Sequence, residues 1–231
     1  MSLPKPYYEE PGIIIYHGDC RDILPYLEPV DLVLTDPPYG AIGGSKAIGG
    51  SKAIEGSSFV EANSYDLSWD MKPISHNDLQ ILLDISKNQI IFGANYFWDF
   101  FKHTNSLIVW DKKCQNGWDD TYSDGEIAWT SYKKKLTIYR QLWVGALKSG
   151  DNGKRVHPTQ KPEELMRWIL GTYITEPFET VLDPYIGSGT TGRACKDMNK
   201  KFIGIEIEEK YCEIAVKRLR QQTLFGTIIP E

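Results

Sequence analysis

The chain has 231 residues, 41% of them apolar, enough to bury the core of one large domain without demanding a second. Its formal charge of −5 argues mildly against nucleic acid as a partner, since neutralising phosphates calls for an excess of Lys and Arg. The cysteines Cys20, Cys114, Cys195 and Cys212 form no C-x-x-C pair and meet no histidine cluster, so no metal site and no disulfide framework is indicated; no stretch approaches a membrane span, and a soluble, cytoplasmic protein is expected.

Taken in order, residues 13–16 form an apolar strand, and Gly18-Asp19-Cys20 turns the chain into a short helix reaching Leu27. Residues 30–35, Val-Asp-Leu-Val-Leu-Thr, are short, β-branched and bounded by turn residues, which predicts a buried parallel strand. Such a strand delivers Asp36 to the rim of a sheet, where ligands bind. Asp36-Pro37-Pro38-Tyr39 leaves that strand stiffly, because two prolines fix φ and remove two N–H donors. One carboxylate, one free carbonyl on Pro37 and one aromatic face suit a planar ring with an exocyclic amine: the acceptors take the amine hydrogens while Tyr39 stacks. A Pro-Pro turn bearing an exposed tyrosine is the plainer alternative.

Residues 41–58 repeat a Gly/Ser-rich hexapeptide three times, within a loop from 41 to 70 that reads either as a flap over the substrate or as a passive surface loop. A helix is expected over residues 77–87 and a buried strand over 89–93. The aromatic run 96–101 has helical spacing, which favours core packing. Strands follow at 107–110, 126–131 and 136–143, the last two read as a hairpin joined by Tyr132-Lys133-Lys134-Lys135. From 133 to 161 the chain carries eight Lys and Arg, including Lys133, Lys134, Lys135, Lys154 and Arg155, against the single acid Asp151. This local basic band suits either a solvated hairpin or contact with nucleic acid.

A linker over 145–153 precedes a helix at 162–171, with proline in its first turn and glycine at its end. Residues 181–191 then take a strand into a glycine-rich bend and a helix at 192–199, a context in which small residues admit a nucleoside cofactor. The spacing is G-S-G-T-T, so it is neither a dinucleotide fingerprint nor a phosphate loop. The strand 201–206 ends in Glu206, placed to accept both hydroxyls of a ribose, and a helix over 208–221 closes the chain.

In that order, Asp36-Pro37-Pro38-Tyr39, His157-Pro158-Thr159-Gln160-Lys161-Pro162 and the 183–191 segment resemble the amino-methylating DNA methyltransferases, more narrowly the β group, in which the catalytic half precedes the cofactor half. The resemblance implies a Rossmann-like α/β methyltransferase fold: a mostly parallel central sheet with one antiparallel hairpin and a circularly permuted motif order. It implies one domain, with a catalytic half over 1–144, a short basic linker over 145–156 and a cofactor half over 157–231. The linker has only about a dozen residues, too few for a separate target-recognition domain.

The implied cofactor is S-adenosylmethionine. Glu206 would hold its ribose, and Asp183, Pro184, Tyr185, Gly187, Ser188, Gly189 and Thr190 would cradle its methionine portion. Thr159, Gln160 and Lys161 would approach its amino-acid end, with Lys161 offsetting the carboxylate, and Asp19 is a second-tier candidate. Tyr185 stands where the family more often has phenylalanine. Asp36, Pro37, Pro38 and Tyr39 would be catalytic on a base flipped out of duplex DNA, with no metal, no membrane and possibly a second subunit assisting. Adenine N6 leads and cytosine N4 follows, since Asp-Pro-Pro-Tyr is the more usual adenine form. An RNA or glutamine methyltransferase, or an inactive nucleic-acid-binding partner, is the remaining alternative.

Overall fold

The computed structural model describes residues 2–40, 73–101, 106–114, 123–144, 147–148, 160–174 and 179–221. The 41–70 loop with its repeat, most of the 145–156 linker with Lys154 and Arg155, and Thr159 lie outside the described residues. In chain order the elements are β1 (Tyr8–Glu10), β2 (Ile13–His17), α1 (Cys20–Ile23), β3 (Val30–Thr35), α2 (His76–Asp84), β4 (Ser86–Phe92), β5 (Leu107–Asp111), β6 (Gly125–Thr130), β7 (Thr137–Arg140), β8 (Trp143–Val144), β9 (Leu147–Lys148), α3 (Glu163–Tyr173), β10 (Thr180–Asp183), α4 (Thr190–Asp197), β11 (Lys201–Glu206) and α5 (Glu209–Leu219).

Among the described residues, nine strands form one sheet in the order β1-β2-β11-β10-β3-β4-β6-β5-β7, and β8 pairs with β9. The five strands from β2 to β4 in that order are mutually parallel. Their side chains alternate between two faces, as the pleat requires. Leu32, Leu34, Ile90 and Phe92 pack with Leu165 and Ile169 of α3 and with residues of α4 and α5. Val33, Ile91, Leu182 and Ile205 pack on the other face with Leu79 and Leu82 of α2. Helices thus cover both faces, which is why residues 32–34 of β3 and 90–92 of β4 read as unbroken apolar runs rather than alternating ones.

Three expectations change. The 126–131 and 136–143 segments do not form a hairpin together, because β5 lies between them: Ala128 of β6 faces Ile108 antiparallel, and Ile138 of β7 faces Val109 parallel. The alternation in β5 explains this. Ile108 and Trp110 are fully buried and need neighbours on both sides, whereas β7, with Ile138 45% exposed, tolerates the edge. The aromatic run 96–101 forms no α-helix; a single 3-10 turn spans Ala94–Tyr96, entered from a left-handed Gly93. Phe97 and Phe101 enter the core, while Tyr96 and Trp98 face solvent. Gly171 lies inside α3, which continues to Tyr173, rather than ending it.

Candidate active site at the carboxyl edge of the sheet

Because β2, β3, β4, β10 and β11 are parallel, their carboxyl ends meet along one edge. That edge gathers Asp19, Asp36, Gly93, Asp183 and Glu206, which the sequence spreads over 188 positions. A cavity of about 390 Å³ opens there, lined among others by Asp36, Gln160, Lys161, Asp183, Ser188 and Glu206. This volume falls in the range of small-molecule sites.

The lip after β3 is anchored on both sides. The Pro38 carbonyl accepts a hydrogen bond from Ile74 N at 2.8 Å, just ahead of the Ser75 cap of α2. Tyr39 lies parallel to Tyr96, with centroids 4.4 Å apart and planes 9° apart. Gly93 makes room for the ring: a Cβ there would come within 2.7 Å of Tyr39, and its φ of +72° favours glycine independently. Asp36 Oδ1 is buried and accepts no hydrogen bond among the described residues. An acceptor held dry without a partner is costly, so it marks a place for a donor from outside the chain.

The other oxygen of Asp36 is occupied. Lys161 Nζ pairs with Asp36 Oδ2, lies 3.2 Å from Glu126 Oε2, and sits 4.6 Å from the centre of the Phe92 ring. Glu126 Oε1 in turn takes Lys112 Nζ at 3.0 Å. Two anions and two cations thus alternate in a row that is half-buried at Asp36, Glu126 and Lys112 and buried at Lys161. Burial raises the Asp36 carboxyl above the usual carboxylate range, with Lys161 opposing and Glu126 and Asp183 adding to the rise. Burial pushes Glu126 the same way, but Lys161 and Lys112 outweigh it and hold Glu126 low. For Lys161 burial acts downward and is outweighed by Asp36 and Glu126, so the ammonium is retained. Lys161 is thus ion-paired with the lip while also lining the cavity in which a cofactor carboxylate is expected.

The second half of the site is the 183–189 bend. Asp183 Oδ1 accepts from Thr35 Oγ1 at 2.7 Å and from Tyr185 N at 3.1 Å, and Oδ2 accepts from Thr191 Oγ1 at 2.8 Å. Asp183 thus ties the bend to the strand that carries Asp36, from 148 positions away. Gly189 is left-handed, with φ +78°, and a Cβ on it would meet Ala215 at 2.7 Å, so glycine lets α4 begin against α5. Glu206 Oε2 accepts from Gly187 N and Oε1 from Glu208 N, each at 2.9 Å. Burial raises this carboxyl to about 7, with the two backbone N–H groups opposing. Burial, with the neighbouring Cys20 thiol adding to it, raises the Tyr185 hydroxyl well above its usual range.

Gln160 is buried beside Lys161, its carbonyl accepting from Trp143 Nε1 at 3.1 Å. Asp19 caps α1 and its carboxylate is tied to Arg21. Lys133, Lys134 and Lys135 are not brought to the site. Since β6 runs antiparallel to β4, pairing Phe92 with Ala128 and Ile90 with Thr130, the turn after β6 leaves at the far end of the sheet. Lys134 there reaches the Thr172 carbonyl and the face of Tyr173. Sequence reading missed Glu126, Thr35 and Tyr96. Only Thr35, a polar residue closing an apolar run before the lip, carried a local signal.

Helices on both faces of a largely parallel sheet, with a nucleoside-sized cavity at its carboxyl edge and a carboxylate on the tip of β11, define an α/β enzyme that uses a nucleoside cofactor. The family model described as DNA methylase, the N6/N4 methyltransferases, matches residues 66–217, and the chain belongs to that family. The match begins beyond Asp36–Tyr39. The Type II methyltransferase M2.LlaDCHI of Lactococcus lactis subsp. cremoris is 28% identical over 98% of this chain and 96% of its own length. M.HinfI of Haemophilus influenzae is 32% identical over 62% of this chain and 40% of its own. Among solved structures, the M1.HpyAVI–SAM complex superposes with a TM-score of 0.58 at 25% identity, covering 90% of this chain and all of that one. The cytosine-N4-specific PvuII DNA methyltransferase, at 14% identity and a TM-score of 0.60, shares the fold. The chain is a DNA amino-methyltransferase that uses S-adenosylmethionine. Among the described residues no helix is long and apolar enough to cross a membrane.

Proposed function

We propose that this chain methylates N6 of adenine in DNA, in the cytoplasm, with Asp36 as the acceptor that orients the target amine. The unpartnered, buried Asp36 Oδ1 carries the reading. The choice of adenine over cytosine is supported by the acid, rather than serine, that opens Asp36-Pro37-Pro38-Tyr39. An exocyclic amine is a poor nucleophile because its lone pair is conjugated with the ring. Asp36 Oδ1 and the Pro37 carbonyl accept one amine hydrogen each, which frees the lone pair from the ring and aims it across the cavity. S-adenosylmethionine supplies an electrophilic methyl on a sulfonium. Nitrogen gains the methyl, the sulfonium leaves as a neutral thioether, and the surplus proton on nitrogen passes to Asp36 and on to solvent. Tyr39, backed by Tyr96, gives the extruded base an aromatic plane.

The cofactor fits the other half. The ends of Glu206 each retain a lone pair after their backbone bonds and can take ribose hydroxyls. Gly187, Ser188 and Thr190 of the bend line the cavity. Hydroxyl donors favour the ionised carboxylate, and Glu206 in the free protein titrates at about 7. Cofactor affinity is therefore expected to weaken as pH falls below about 7, by up to about tenfold per pH unit, with one proton released on binding. Calorimetry at about pH 6 in buffers of different ionisation heat reads that proton directly. Affinity independent of pH in wild type would remove Glu206 from the ribose, and E206Q should abolish the dependence.

The function is tested by incubating DNA with labelled S-adenosylmethionine and digesting it to nucleosides. Label in N6-methyladenine is expected. Label in N4-methylcytosine would overturn the base assignment, and transfer only to RNA or protein would overturn the substrate.

A further inference from the structure

The row of charges behind the lip contains a residue with no obvious place in the transfer. Glu126 lies on β6, away from the bend and from the strand of Asp36, yet its carboxylate turns inward to Lys161. The Lys161 ammonium has three neighbours: Asp36 Oδ2, to which it donates, Glu126 Oε2 at 3.2 Å and the face of Phe92. Lys112, itself anchored on Glu126 Oε1, fixes the second carboxylate from behind. With Asp36 as its sole anionic partner, an ammonium beside a carboxylate would settle between both oxygens. Sharing it with Glu126 draws it to one side.

We propose that Glu126 is a positioning residue for methyl transfer: by dividing the Lys161 ammonium it confines that cation to Asp36 Oδ2 and keeps Oδ1 open for the target amine. This rests on the reading of Asp36 as the amine acceptor. It explains why an enzyme that needs one free carboxylate oxygen buries a cation against that same carboxylate. Lys161 fixes the carboxylate's rotation, and Glu126 limits how much of it Lys161 covers.

The groups facing Asp36 are Lys161 from the segment ahead of α3, Glu126 from β6 and Asp183 from β10, with Lys112 behind Glu126. Removing the charge of Glu126 takes away a like charge and leaves Asp36 an undivided cation. Both changes favour the ionised carboxylate. Glu126→Gln is therefore expected to combine two effects that a loosened fold would not produce together. The single-turnover rate falls by about 10- to 100-fold, from the misplaced acceptor. The acid limb of its pH profile moves to lower pH by about half a unit to one unit. The variant is slower although more of its Asp36 is ionised. Glu126→Asp keeps the charge at shorter reach and should lose a few-fold in rate with a smaller shift in the same direction.

The measurement uses the full chain, DNA and S-adenosylmethionine, with cofactor affinity and thermal melting recorded alongside. Wild-type rate in either variant overturns the proposal. So does a slower rate with an acid limb that stays put or moves upward, and so does failure of both variants to fold, which would make Glu126 structural. Asp36→Ala run in parallel separates the two readings. If it still transfers methyl groups, the role of Asp36 is wrong; if it is inactive while Glu126→Gln is unaffected, the Glu126 proposal alone fails.

Discussion

Replacement of Lys161 by methionine is expected to destabilise the protein by about 3–5 kcal/mol at about pH 8 and to remove most of its activity. Lys161 is 6% exposed, and the partners it leaves behind, Asp36 and Glu126, are at most one quarter exposed. Methionine matches the aliphatic stem and keeps contact with Phe92, so the loss reports the charge rather than a void. Two carboxylates then share a buried space with Lys112 as the remaining cation of the row. The pH dependence follows from the signs. In the variant burial raises Asp36 unopposed, so its folded value lies further above its unfolded one; an acid shifted that way costs stability at high pH, and the cost fades as pH falls through the folded value. Glu126, held low in the wild type, contributes stability above the unfolded range, and losing Lys161 forfeits part of it. The deficit against wild type should therefore be largest at mildly alkaline pH, where wild-type Lys161 is still charged, and narrow through the raised Asp36 range toward about pH 4, the unfolded range of Asp and Glu. Denaturant melts across pH measure it. A deficit that is constant with pH would mean that packing, not charge, holds Lys161.

Much of this was legible in the chain. Each strand from β2 to β4 of the parallel set was marked by a short apolar run, and the side chains that follow those runs are the ones the carboxyl edge collects. Asp36, the 183–189 bend and Glu206 were found because motif residues sit at strand ends, where local sequence fixes position. Pairing across the sheet was not legible. Lys161 carries a charge whose partner depends on β6 lying beside β4, and nothing near Glu126 in the sequence says that β6 runs there or in which direction. The same unknown direction hid the position of Lys133–Lys135: a charge run is visible locally, but which end of the sheet it leaves from is set by register. Tyr96 failed differently. Its spacing from Phe100 is helical, yet Gly93 takes the chain into a 3-10 turn, and the ring stacks on Tyr39 instead of entering the core.

Asp36→Ala is expected to cut methyl transfer by on the order of 10²–10⁴ while leaving cofactor affinity within a few-fold of wild type. The two halves of the cavity separate these effects. Asp183 and Glu206 keep every hydrogen bond that shapes the bend, since none of those bonds involves Asp36. Stability should fall by less than in Lys161→Met, because the variant also sheds a costly buried carboxyl and Lys161 keeps Glu126 as its partner. Asp36→Asn should be nearly as inactive as alanine, since one end of the amide donates where an acceptor is needed. If that end faces Lys161 it meets a cation, and if it faces the base it meets an amine hydrogen. Single-turnover transfer and cofactor titration on the same preparation decide the matter. Lost affinity would place Asp36 in the cofactor half of the cavity. Retained transfer would mean that the Pro37 carbonyl and the Tyr39 plane orient the amine without it, and the unpartnered oxygen would then need another donor.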